Sequence, residues 1–390
     1  MPCDNDGMAK GTTALDTPLR EQLDRLASFE PIDAPVLSLY LDMRPDQNGR
    51  DNYDSFIRRV LPERSRGLTG NARKSFDADA ERITTFLAES VRASAHGLAL
   101  FACSAADNFF EAIQLNVPID RHWLFVSSVP HLYPLARLND QYPRYAALLV
   151  DTNAARLFVF GLGATETQRE VRNVKTRKSS MGGWSQARYQ RHLSNIHLHH
   201  IKEVVDVLDR VVRDESIGKI VVACDPSTMS MLMQEMPKHL ADKVVDVVHL
   251  DINTPEHQVL SETLETMRER DAETDAERVQ RLLDAWRANG LGVVGADATL
   301  DALSKAQIEE LLITATPSLL ARAKNVPTEL QPPDVSVATS APVADNAEAL
   351  KLADDLVTKA QQQSARIRFI EDPQLLGEVG GVGAILRFKI

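Results

Sequence analysis

The sequence predicts an α/β protein with mixed sheets, divided into three domains. Three observations carry that expectation. Short apolar stretches, either alternating as at Leu37, Leu39 and Leu41 or unbroken as over residues 97–103, read as strands. Between them lie longer segments whose apolar residues recur every three to five positions, as at Leu193, Ile196, Ile201, Val204, Leu208 and Val211, the spacing of a helix face. The chain has 390 residues, of which 44% are apolar and 25% charged, enough for several globular cores.

The first domain is expected over residues 1–141. Residues 1–18 are polar, 19–26 read as a short helix and 35–42 as a strand of period two. Helical stretches follow over 53–63 and 72–94, separated by a turn carrying Arg64, Arg66, Gly67 and Gly70. Residues 97–103 are a buried strand, and 109–117, 123–126 and 132–135 read as further strands. The second domain spans 142–260. It opens with strands at 145–151 and 155–160, a third over 166–175, and then a basic loop and a long helix. A buried strand at 219–225, a helix from Pro226 capped by Asp225, and a strand at 244–250 complete it. The third domain spans 261–390. Residues 256–290 are charged and helix-forming, with a break expected near 271–275. Then come Gly292-Val293-Val294-Gly295, a helix over 298–305, a strand near 308–313, and a mobile Pro- and Ala-rich insertion over 327–346. An amphipathic helix (347–363), a strand (366–370) and a glycine-rich ending with a terminal strand at 384–388 close the chain.

Composition narrows the function. No run of about 18 apolar residues is present, so no membrane span is expected. The first fifteen residues carry Asp4, Asp6 and Lys10 and lack the apolar core of a signal peptide. Cys3, Cys103 and Cys224 lie far apart, which fits a cytoplasmic protein with free thiols and gives no zinc or disulfide framework. The net charge of −11 argues against a nonspecific nucleic-acid coat but leaves room for local contacts.

One such locality stands out. Met181-Gly182-Gly183-Trp184-Ser185-Gln186 sits between Arg169, Arg172, Lys175, Arg177 and Lys178 upstream and Arg188 and Arg191 downstream, with Glu170 the one acid in that span. Paired glycines allow backbone conformations and close approaches closed to other residues. A glycine tip in a basic field at the start of a helix suits a large anionic partner; the plainer reading is a solvated, basic strand-to-helix loop.

Three features now fall in one order. They are the strand–turn–strand over 147–160 followed by the loop with Gly182, Gly183, Ser185, Ala187, Arg188 and Tyr189; the glycine, helix and Glu-Leu-Leu-Ile of 295–313; and the ending Gly380-Gly381-Val382-Gly383-Ala384-Ile385-Leu386-Arg387-Phe388. Together they resemble the archaeal and eukaryotic class-I translation release factors, including Pelota, and more closely their bacterial relatives. The resemblance covers most of residues 143–390. It implies release-factor-like middle and C-terminal domains, the ribosome as partner through rRNA and peptidyl-tRNA, and recruitment of a translational GTPase, with no membrane and no cofactor.

The resemblance also implies a reaction. These factors release a nascent peptide by hydrolysing the ester that joins it to tRNA. A Gly-Gly-Gln loop helps place the attacking water, largely by orientation. Here Gly182 and Gly183 match the glycines, while Trp184 stands where the glutamine is expected and Gln186 lies two residues on. One reading gives Gln186 the water-positioning role, with Gly182 and Gly183 shaping the loop and Arg177, Lys178, Trp184, Arg188 and Arg191 on RNA, Trp184 by stacking on a base. The other takes hydrolysis as lost and the protein as a non-catalytic A-site factor of the Balon hibernation type. The Asn-Ile-Lys-Ser loop that reads stop codons in the family has no counterpart near 64–74, so action without codon reading is expected.

Other constellations are read as structural. His192, His197, His199 and His200 cluster after the loop without accompanying cysteines or carboxylates, and read as solvated or RNA-facing rather than as a metal site. The glycines of 377–383 lack the lysine of a phosphate-binding loop, and no nucleophile elbow is present.

Overall fold

The computed structural model describes residues 19–45, 53–172, 186–320 and 343–389. The chain forms two compact units, one from residues 1–137, 282–369 and 376–390, the other from 138–281 and 370–375. It is a mixed α/β protein with three sheets.

The first unit starts with α1 (Leu19–Ala27), β1 (Val36–Asp42), α2 (Tyr53–Ser65), α3 (Gly70–Glu89), β2 (Gly97–Cys103), β3 (Phe109–Leu115), β4 (Trp123–Ser127) and α4 (Tyr133–Gln141). The strands form a sheet in the order β3-β2-β1-β4, with β1 antiparallel to both β2 and β4. Period-two alternation sends Leu37, Leu39 and Leu41 into a core with Phe56, Val60 and Phe76 of α2 and α3. Of residues 132–135, expected as a strand, Leu132 lies just before α4 and 133–135 open it. The apolar run is short, Pro134 fits a first helical turn, and the missing cap is supplied from a distant element described below.

The second unit contains β5 (Tyr145–Val150), β6 (Ala154–Gly161), β7 (Ala164–Arg172), α5 (Gln186–Asp214), β8 (Ile220–Ala223), α6 (Pro226–Glu235), α7 (Lys238–Ala241), β9 (Val244–Val248) and most of α8 (Glu256–Arg287). Its sheet runs β7-β6-β5-β8-β9, antiparallel among β5, β6 and β7 and parallel from β5 through β8 to β9. Both faces are covered, which is why β5 reads as an unbroken apolar run. Ala146, Leu148 and Val150 pack with Ile201, Val204 and Leu208 of α5. Tyr145, Ala147 and Leu149 pack with Val259 and Met267 of α8 on the other face. The break expected near 271–275 does not occur. Asp271 accepts a hydrogen bond from Lys219 Nζ at 2.7 Å and Asp275 is buried, so the acids that suggested an interruption are absorbed by one continuous helix.

The rest of the chain forms β10 (Gly292–Val294), α9 (Ala296–Ser304), β11 (Ile308–Thr314), α10 (Val343–Gln362), β12 (Arg366–Ile370), α11 (Pro373–Gly377) and β13 (Val382–Leu386), all in the first unit except residues 370–375. Their sheet runs β10-β13-β11-β12. The glycines of the ending have distinct structural reasons. Gly380 and Gly381 take φ of 79° and 80°, and a Cβ on Gly383 would lie 2.6 Å from Leu282 Cδ2 of α8. Most of the insertion expected over 327–346 lies outside the described residues; 343–346 belong to α10. No helix among the described residues is long and apolar enough to cross a membrane.

Candidate functional site

The loop singled out by sequence ends at α5. Gln186 is the first residue of that helix, and Arg188 and Arg191 follow in its first two turns. Positions 188 and 191, three apart, fall on one face, whereas 186 and 188 lie about 200° apart around the axis. Arg177, Lys178, Gly182, Gly183 and Trp184 lie outside the described residues. The helix thus brings the two arginine positions together and sets the Gln186 position on a different face.

Among the described side chains of α5, residues 195–199 are exposed or half-buried, and burial starts at His200 and continues through Ile201, Val204, Val205, Leu208, Val211 and Val212. At about 1.5 Å per residue, the start of the helix lies about 21 Å along the axis from His200. His200 is itself a correction to the surface-histidine reading. It shares the stripe of Val204, Leu208 and Val211 at helical spacing, so it turns inward, and both its ring nitrogens lack hydrogen-bond partners among the described residues. His199 beside it is exposed.

Polar contacts hold the base of this helix. Asp209 accepts from His239 Nε2 at 2.7 Å and pairs with Arg213 at 2.7 Å. The His239 bond, with the Arg213 charge adding to it, holds the Asp209 carboxyl below the usual range. Lys202 lies 3.7 Å from Glu235 of α6. Just past the helix, Glu215 is gripped by Arg144, whose Nε also lies 2.5 Å from Glu166. Except for Asp209 and Arg213, one helical turn apart, these pairs join residues more than 20 positions apart, and nothing in the local pattern announces them.

The opposite features are mild. The first turn of α5 carries no acidic residue. Helix N-termini present unpaired N–H groups and a partial positive charge, which favours anions. Together with Arg188 and Arg191, and with no Asp or Glu between Glu170 and Glu203, this makes the sequence at the start of α5 basic in an acidic protein.

The remaining candidates are structural. Asp225 caps α6, accepting from Ser227 N at 2.9 Å and Thr228 N at 3.1 Å as well as from both hydroxyls. The bonds from Ser227 and Thr228 hold its carboxyl far below the usual range. Burial, and then the Asp225 charge, pushes the neighbouring Cys224 thiol up to about 11, the opposite of what a nucleophile requires. In the first unit, Arg73 is committed to Asp77 and to the carbonyl of Ser65, and burial lowers the half-buried Arg64. Among the described residues, no group of three or more His, Cys, Asp or Glu is placed to hold a metal.

Residues 130–268 match the family model described as bacterial archaeo-eukaryotic release factor family 10. No curated protein matches the chain. Among solved structures, the archaeal translation termination factor aRF1 is 15% identical, with 95% of this chain and 97% of that chain covered and a TM-score of 0.26. Archaeoglobus fulgidus Pelota is 13% identical over 75% of this chain and 80% of that one, with a TM-score of 0.31. The S. cerevisiae protein Dom34, described as a translation termination-like factor involved in RNA quality control, is 11% identical over 75% and 79%, with a TM-score of 0.40.

Proposed function

We propose that this chain, a bacterial relative of the archaeo-eukaryotic release factors, acts on the ribosome as a release-factor-like protein in rescue or quality control, without reading a stop codon. The observation that carries the reading is the family match over 130–268, which spans the Gly-Gly loop and the whole of α5. The helix geometry supports it. A helix whose first residue lies about 21 Å along its axis from the buried His200 suits reach into a larger particle. Its basic character suits rRNA and the peptidyl-tRNA backbone. The division into domains at 141/142 and 260/261 belongs to the same proposal.

In this reading the reaction is hydrolysis of the peptidyl-tRNA ester. Water adds to the carbonyl carbon, the charge gathers on the carbonyl oxygen, and the bond to the ribose oxygen breaks as that oxygen takes a proton. Gln186 orients the water, and Gly182 and Gly183 give the loop its conformation. Arg188 and Arg191, with Arg177, Lys178 and Trp184, hold RNA. A translational GTPase is the natural delivery partner.

A second reading rests on Trp184 at the place where the family carries glutamine. It makes the protein a non-catalytic A-site factor of the hibernation type. Release of labelled peptide from stalled ribosomes separates the two. Hydrolysis that drops at least tenfold in Gln186→Ala and Gly183→Ala supports the first. Co-sedimentation with ribosomes without release, in the wild type as in the variants, supports the second. Absence of ribosome binding refutes both.

A further inference from the structure

The start of α4 has a polar arrangement that its own sequence cannot supply. The residues before it, His131 and Leu132, are not helix-capping types, and Pro134 has no N–H. The cap comes from α10. Asp354 Oδ1 accepts from Leu132 N at 2.6 Å and from Tyr133 N at 3.0 Å, and Oδ2 lies 2.9 Å from His131 Nδ1. The carboxylate and the imidazole are both buried.

This cluster is wired into both sheets of the first unit. The His131 N–H donates to Ser38 Oγ at 3.0 Å, and Tyr40 Oη donates to the His131 carbonyl at 2.6 Å, both on β1. The His131 ring stacks on Phe125 of β4 with centroids 3.6 Å apart. On the other side, Tyr133 Oη donates to the carbonyls of Thr314 and Ala315 at the end of β11, and its ring meets Phe369 of β12 edge-on. Farther along α10, Gln361 and Gln362 bond Asp24 and the carbonyl of Ala27 in α1. A buried carboxylate with three N–H partners is stable only while all three are present, since low local polarity strengthens satisfied networks and penalises broken ones.

We propose that Asp354 is a latch: a helix cap delivered from α10 that keeps the first turn of α4 wound and joins the N-terminal sheet to the C-terminal sheet. Its release unwinds the start of α4 and parts α10 from β1 and β4, while each sheet stays folded. The device matters because α4 is the segment that leads, after three residues, into β5 and the unit carrying α5.

Hydrogen exchange on the full chain tests this. In Asp354→Ala the Leu132, Tyr133 and Ala136 amides exchange at least about tenfold faster, while amides of β1, β11 and β13 stay within about twofold of wild type. Asp354→Asn, which keeps a carbonyl oxygen for the two backbone donors, restores most of the protection. Uniform acceleration across the unit, or no change at Leu132 and Tyr133, overturns the latch. A second measurement needs no variant. In wild type, exchange of Leu132 and Tyr133 followed against low denaturant concentrations takes a shallower slope than β1 and β11, the mark of a local opening. Slopes that coincide with those of the strands overturn the proposal.

Discussion

Adding one methyl group at Gly381 gives a sharp test of how the C-terminal sheet is closed. Gly381 has φ of 80°, and its carbonyl accepts from Thr314 N at 2.8 Å. A Cβ there would lie 2.9 Å from the Leu319 carbonyl oxygen and 3.2 Å from Thr314 Cγ2. The left-handed backbone costs an L-residue roughly 1–2 kcal/mol. The overlap is with backbone, which does not swing aside, and overpacking of this kind costs about 1–3 kcal/mol. Gly381→Ala therefore destabilises the first unit by about 2–5 kcal/mol. For a unit of this size that lowers the melting temperature by roughly 4–20 °C. Gly377→Ala is the matched control. A Cβ there meets nothing within 4 Å, and Gly377 is not among the positive-φ residues, so the change stabilises by about 0.4–1 kcal/mol. Both variants are melted side by side in a calorimeter. If Gly381→Ala melts within about 2 °C of Gly377→Ala, the closure argument is wrong.

Other expectations follow from the same contacts. Asp225→Ala removes the cap of α6 and costs about 1 kcal/mol at pH 7 in urea unfolding. The folded carboxyl is depressed, so this contribution is complete above the ordinary aspartate value of about 3.9 and is lost as pH falls below it. The gap between wild type and variant therefore narrows at pH 3; a gap that widens there contradicts the assignment. Arg191→Ala weakens ribosome binding across all ribosomal states and reduces the slope of log K against log salt by about 1, the signature of one lost phosphate contact. An unchanged slope places Arg191 off the RNA. Arg144→Met unpairs Glu166 and Glu215 and lowers the urea midpoint of the second unit, read by far-UV circular dichroism; a midpoint equal to wild type shows that the pair contributes nothing.

The sequence made the strands of this protein legible because they are either alternating or wholly apolar. Residues 97–103 became β2 without a shift of either end, and the unbroken run at 145–150 became the central strand covered on both faces. The cap at Asp225 was legible too, because its partners are two and three residues away. What local pattern does not encode is partnership at a distance. The first turn of α4 read as a strand because its cap lies more than 200 residues on, at Asp354. The long α8 read as two helices because the partner of Asp271, Lys219, stands just before β8, more than 50 residues away. His200 read as a surface histidine because it was grouped with His192, His197 and His199, although at helical spacing it shares the stripe of Val204, Leu208 and Val211. At the candidate site, the glycines and Trp184 fall outside the described residues, so what the structure adds is the helix behind them.

That helix explains why an acidic chain can be read as an RNA partner. With a net charge of −11, long-range attraction to a ribosome is opposed rather than favoured. Screening at physiological salt, with a Debye length of about 8 Å, confines each charge to its own surroundings. The start of α5 lies about 21 Å along the axis from the buried His200, more than two such lengths. Positions 188 and 191 stand toward that start, in a stretch of sequence with no Asp or Glu between Glu170 and Glu203. On the proposed reading, distance along the helix does two things at once: it gives reach toward the RNA, and it sets the basic positions 188 and 191 apart from the acids farther along the chain. Shortening α5 by two turns between 191 and 200 tests both. On this argument ribosome affinity falls more at low salt than at high salt, because the acidic body is drawn in toward the RNA. A loss that is independent of salt leaves reach as the sole role of that length.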